Sequence, residues 1–147
     1  MPYDRSVPAP EDAAASSPTP AEVVRTIQEA LGRGDIMAPM AHLAKDVRWA
    51  VACADRQAAP FFGEYSGRSG VLAFMQAMDV VKMTDFAIKA VIGQGDLVAV
   101  WLHMAFTAPS GKEVDMDETQ IWRFNPEGKV VSVDLFPDTQ AVAAAFA

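Results

Sequence analysis

Residues 112–125, KEVDMDETQIWRFN, and residues 129–138, KVVSVDLFPD, alternate apolar and polar side chains with the two-residue period of half-buried strands. The intervening NPEGK (125–129) is a hairpin turn signal. Upstream, APSGK (108–112) and GQGD (93–96) mark two more tight turns. Strands are therefore expected at about Thr84 to Ile92, Leu97 to Thr107, Glu113 to Phe124 and Val130 to Phe136. Four strands joined by short turns form an antiparallel meander.

Before this meander the pattern is helical. Thr19, Pro20, Ala21 and Glu22 make a capping box with proline at the first helical position. Val23, Val24, Ile27, Ala30 and Leu31 follow on one stripe, and GRGD (32–35) stops the helix at Gly32 or Gly34. Asp35 is placed to cap a second short helix. VRWAVA (47–52) reads as a strand, with Trp49 and Val51 on one face. CADRQAAPFFGEYSGRSG (53–70) reads as a long loop of the kind that forms binding loops or lids, and Ser69 is placed to cap a helix carrying Val71, Leu72, Phe74, Met75 and Met78. Residues 1–18 are rich in Pro, Ala and Ser and offer almost nothing to bury, so a disordered tail is expected there and a single domain over residues 19–147. Helices followed by a meander define an α+β domain with helices packed on one face of a curved sheet.

Composition narrows the partners. A net charge of −7 with no basic run disfavours nucleic acid and anionic membrane surfaces. Cys53 stands alone, so no internal disulfide forms, and two histidines, His42 and His103, provide no zinc-binding cluster. No cofactor or metal is expected. No apolar stretch approaches the roughly 20 residues of a membrane span, and the first residues lack a signal-peptide pattern, so a cytoplasmic location is expected.

One carboxylate stands out within the final strand. Asp134 shares its face with Ser132 and Phe136, while Trp101, His103 and Trp122 lie on neighbouring strands. If that face lines a pocket, burial raises the Asp134 pKa and allows proton exchange near neutral pH. A solvated strand-end acid is the plain alternative. His103, between Trp101 and Ala105, reads either as a satisfied core histidine or as the partner of Asp134 in an acid/base pair. Trp49, Phe62, Tyr65, Trp101, Trp122 and Phe136 read as core or cup wall, and the Tyr65 hydroxyl needs a partner if buried. Gln120 and Glu118 share the face of Trp122 and add polar contacts to the pocket, whereas Asp115 and Asp117 lie on the opposite face as a solvated or interface-rim stripe. Val131, Val133 and Leu135 leave the last strand apolar on its other side too, which calls for a covering surface.

The sequences EALGRGDIMAPMAHLAKDVRW (29–49), PFFGEYSGRSGVLAFM (60–75) and GKVVSVDLFPDT (128–139), in this order and spacing, resemble the SnoaL-like branch of the nuclear transport factor 2-like superfamily. The resemblance runs from about Val23 to Ala144. It implies a cone-shaped α+β barrel of the cystatin-like type, in which a bent antiparallel sheet wraps around N-terminal helices and leaves a deep apolar pocket, and it implies a homodimer formed through the convex sheet face. The superfamily includes ketosteroid isomerases, polyketide cyclases, limonene epoxide hydrolase, dehydratases and non-catalytic binding modules, so the fold alone assigns no reaction. The three groups of the ketosteroid isomerase fall on Ile27, Val51 and Gln120, and none is kept. Asp134 falls where the cyclases and the hydrolase carry their acting aspartate, while the hydrolase's arginine and second aspartate fall on His103 and Ala105. The resulting expectation is a small-molecule enzyme using Asp134 and His103 as acid and base on an apolar cyclic carbonyl or epoxide compound. Trp49, Phe62, Tyr65, Trp101, Gln120, Trp122 and Phe136 would bind that ligand. A dimeric module that binds a hydrophobic ligand without turnover, and a pure dimerisation domain with a filled cone, are the alternatives.

Overall fold

Thr19 opens the first helix, α1 (Pro20–Gly32), by accepting a hydrogen bond from Glu22 N at 3.2 Å, while the Glu22 carboxylate accepts one from Thr19 N at 2.7 Å. Two backbone donors that the helix leaves free are thereby satisfied. The computed structural model describes residues 17–147. The tail expected over residues 1–18 lies, apart from residues 17 and 18, outside the described residues.

Asp35 Oδ1 accepts from Met37 N and Ala38 N and leads into a short 3₁₀ helix, Ala38–His42. Strand β1 (Leu43–Val51) starts earlier than its apolar run suggests, and β2 (Glu64–Ser66) lies within the stretch expected to be all loop. Helix α2 (Gly67–Ala77) begins ahead of Ser69, which therefore sits in the first turn; Ser66 is the N-cap residue and makes no side-chain cap bond. A 3₁₀ turn, Met78–Val80, leads to β3 (Lys82–Gln94), β4 (Leu97–Thr107), β5 (Glu113–Phe124) and β6 (Val130–Phe136). The closing helix α3 (Thr139–Phe146), unmarked in the sequence analysis, is capped by Asp138, whose carboxylate accepts from Ala141 N at 3.1 Å.

The six strands form one sheet in the order β2-β1-β6-β5-β4-β3. All neighbours are antiparallel except β1 and β6, which run parallel, so the all-antiparallel expectation is corrected at that joint. Register shifts in β3 near Met83 and Ile88, and in β5 at Arg123, mark the irregularities that bend a sheet. The inner face buries Trp49 from β1, Val100 and Leu102 from β4, Trp122 from β5, and Val133 and Leu135 from β6, against Val24 and Ile27 of α1 and Val71 and Phe74 of α2.

This register reverses one expectation. Val133 and Leu135 are the core side of β6, so Asp134 and Phe136 point to the outer face. Likewise Val98, Val100, Leu102, Met104 and Phe106 are the core side of β4, leaving Trp101 and His103 outside. An unbroken aliphatic alternation outweighs a few aromatics in deciding which face is buried, because it removes more apolar surface from water.

Candidate functional site

Between the inner sheet face and helices α1 and α2 lies a cavity of about 320 Å³. Aromatic side chains of Trp49, Phe61, Phe74, Phe86 and Phe106 and the thioethers of Met75, Met78, Met83, Met104 and Met116 make up much of its wall. Among the described residues the cone is thus not filled solid. Against this apolar lining stands one polar group of three side chains: Gln28 from α1 and Glu118 and Gln120 from β5.

Their bonds fix one another. Gln120 Oε1 accepts from Gln28 Nε2 at 2.8 Å and from the indole N–H of Trp122 at 2.9 Å, which leaves Gln120 Nε2 to donate to Glu118 Oε2 at 2.6 Å. All four residues are buried. Glu118 is 7% exposed, and burial pushes its pKa up to about 7, with the Gln120 hydrogen bond pulling more weakly the other way. A carboxyl group poised there holds and releases a proton near neutrality. Trp49 is edge-on to Trp122, with ring centroids 5.6 Å apart, and its Nε1 is the one buried side-chain polar atom without a partner among the described residues.

The residues expected to form the site divide into three places. Trp49 and Gln120 line the cavity, and Trp122 stands behind it as a donor to Gln120. Phe62 borders a smaller cavity of about 170 Å³ between the 53–62 loop and α3, and Tyr65, whose hydroxyl donates to Phe61 O at 3.0 Å, packs behind Phe74 and does not line the main cavity. Asp134, His103, Trp101 and Phe136 lie on the outer face, which corrects their placement in a cup. Asp134 accepts from Arg48 Nη1 at 3.0 Å, and Arg48 Nε donates to Glu64 at 2.7 Å. His103 is not paired with Asp134; its Nδ1 lies 2.7 Å from Asp117 and its Nε2 2.8 Å from Asp115. Strand pairing explains the separation, since His103 is opposite Asp117 whereas Asp134 is opposite Ile121 one strand further on.

Asp117 also accepts from the Trp101 indole at 2.9 Å, so the stripe read as a solvated face or interface rim holds these two side chains. The hydrogen bond to Asp117 is the main force raising the His103 pKa, and the same bond, with the Trp101 indole, lowers that of Asp117. Among the described residues no group of His, Cys, Asp and Glu is arranged to hold a metal ion. Gln28 is the functional candidate that the sequence reading left out, and Glu118, read there as a polar contact of the pocket, was given no part in proton transfer. Their signals were present: Glu118 is the one charged residue on the buried face of β5, and Gln28 follows Val24 by four positions on the buried stripe of α1.

A bent sheet closing a cup over helices, with its polar groups at the inner wall, is the nuclear transport factor 2-like architecture. The chain matches the SnoaL-like domain over residues 23–133, and it belongs to that family. Among solved structures, a nuclear transport factor 2-like protein from Burkholderia thailandensis E264 superposes with a TM-score of 0.78 at 26% identity, covering 89% of this chain and 99% of that one. The structure of TerC co-crystallised with polyporic acid gives 0.75 at 22% identity, covering 87% of this chain and 98% of that one. A putative SnoaL-like polyketide cyclase from Mesorhizobium loti gives 0.67 at 19% identity, covering 80% and 98% respectively. No curated protein sequence matches the chain at a significant level. No helix among the described residues is long and apolar enough to cross a membrane.

Proposed function

We propose that the chain is a small-molecule enzyme that moves a proton on an apolar cyclic carbonyl or epoxide compound, with Glu118 as the acid/base. The observation that carries this reading is a carboxyl group with a pKa of about 7 inside an aromatic and thioether wall, held by an amide rather than a cation. Gln120 and Gln28 orient it, and Trp49 contributes to the ligand wall. TerC, a neighbour of the same fold, was co-crystallised with the small molecule polyporic acid. The ligand roles expected for Trp101 and Phe136, and the proton-transfer roles expected for Asp134 and His103, do not carry into this proposal, because these residues face away from the cavity.

One observation favours a second reading. Among the described lining residues the only other ionisable side chain is the exposed Asp79, so no second acid or base completes a relay, and a binding module without turnover also fits the cup. Deuterium exchange separates the two. With the ring ketone tetralone in heavy water, an enzyme breaks the C–H bond alpha to the carbonyl, passes that proton to the Glu118 carboxylate and returns a deuteron from the exchanged carboxyl. Exchange above the buffer rate in the native protein, lost in Glu118→Gln, supports catalysis; binding without exchange supports the module. A homodimer and a cytoplasmic location complete the proposal. Of Val131, Val133 and Leu135, expected to form the dimer surface, Val133 and Leu135 are buried in the core, and support for the dimer comes instead from outward Trp101 and Phe136, which are 49% and 45% exposed.

A further inference from the structure

The charges that face the cavity are all of one sign. Glu118 Oε2 has a single donor, the Gln120 amide, and Oε1 accepts no hydrogen bond from the described residues. No Lys, Arg or His lines the cavity among those residues. To the cavity that Glu118 lines, α1 presents Gln28, β1 Trp49, α2 Phe74 and Met75, β3 Met83 and Phe86, β4 Met104 and Phe106, and β6 Leu135, none of them ionisable. Asp79, from the turn after α2, adds a second negative charge, and the Tyr65 hydroxyl is committed to Phe61 O. A buried carboxylate with one donor and no counter-charge is costly, and taking up a proton is the cheapest relief. Once protonated, Glu118 becomes a hydrogen-bond donor whose natural partner is an uncharged oxygen acceptor. An incoming anion would lose its hydration with no cation to meet it and would raise the cost of any charge on Glu118 or Asp79.

We propose that the cup admits neutral, flat molecules offering an acceptor oxygen to Glu118 and shuts out anions, so that ligand capture is coupled to the proton on that carboxyl. Unbranched thioethers and aromatic faces suit a polarisable ligand body. This inference rests on the reading of the cavity as a ligand site and concerns the binding step; proton abstraction from a bound ketone uses the minority of complexes in which Glu118 has lost its proton. A pKa of about 7 places the coupling in a range where both forms of the full-length protein can be studied.

Two probes of matched outline test it: the ketone acetylnaphthalene and the carboxylate naphthoate, followed by calorimetry from about pH 5.5 to about pH 8.5. Ketone binding is expected to be independent of pH on the acidic side. On the alkaline side it should weaken by nearly tenfold per pH unit, with about one proton taken up per molecule bound. Naphthoate should bind at least about a hundredfold more weakly than the ketone near pH 8. In Glu118→Gln, whose amide donates at every pH, the ketone should lose its pH dependence. Equal affinities of the two probes for the native protein near pH 8, or ketone binding unaffected by pH, overturns the charge rule while leaving the cavity a ligand site. Failure of both probes to bind at the acidic end overturns the ligand-site reading together with the rule.

Discussion

At Glu118, burial and ionisation pull against each other. Its folded pKa, about 7, lies above its ordinary value of 4.5, so the native state keeps a proton that the unfolded chain releases. Stability contributed by the neutral carboxyl is therefore full at acidic pH and falls as pH rises through the window between those values. The loss amounts to about 3 kcal/mol by pH 8. Urea denaturation at pH 5 and pH 8 should show this slope in the native protein and a flatter one in Glu118→Gln; parallel slopes would contradict a buried carboxyl. His103 behaves in the same sense, for a different reason. Its pKa is raised, chiefly by Asp117, so the pair supports folding at acidic pH and loses that support as pH rises through the His103 value; Asp117, lowered by the same contact, loses its share only as pH falls through its own. Proton NMR should place the His103 midpoint above that of a free histidine, and Asp117→Asn should bring it down.

Two elements meet closely at Gly93 of β3. A Cβ built there would lie 2.9 Å from the Ala21 Cβ in the first turn of α1, and neither atom belongs to a flexible side chain. Gly93→Ala should push α1 off the sheet and cost about 1–3 kcal/mol in a denaturation experiment. Thr19→Ala, which removes the helix cap, should cost about 1 kcal/mol and leave the sheet unaffected. The same elements show how much the sequence disclosed. Helix α1, the meander strands and the turns between them were legible because period, caps and turn residues agreed on one answer. Which face of β4 and β6 turns inward was misread, because both faces of each strand carry apolar residues and the large Trp101 and Phe136 suggested a core. Glu118 was read only as a polar contact, because a lone charge on an apolar stripe reads first as an exception to the pattern. Helix α3, eight residues rich in alanine, lacks the length and periodic stripe that mark a helix in sequence.

At the scale of the molecule, the outer sheet face presents Trp101 and Phe136, aligned across the strands through Thr119. These exposed aromatics support the proposed dimer. Light scattering at micromolar concentration should report a dimer for the native chain and a monomer for the Trp101→Ser, Phe136→Ser double variant; a native monomer would remove the proposal. The parallel joint between β1 and β6 has a different consequence, one of timing. Trp49 and Leu135, which both border the cavity, come from strands 86 positions apart, as the spacing of the Arg48 and Asp134 ion pair shows. A chain emerging from the ribosome therefore has no finished vessel until β6 is free. Fragments ending before residue 130 should leave an unpaired strand edge and a greasy interior open to aggregation, which makes the emergence of β6 the step that commits the nascent protein to its shape.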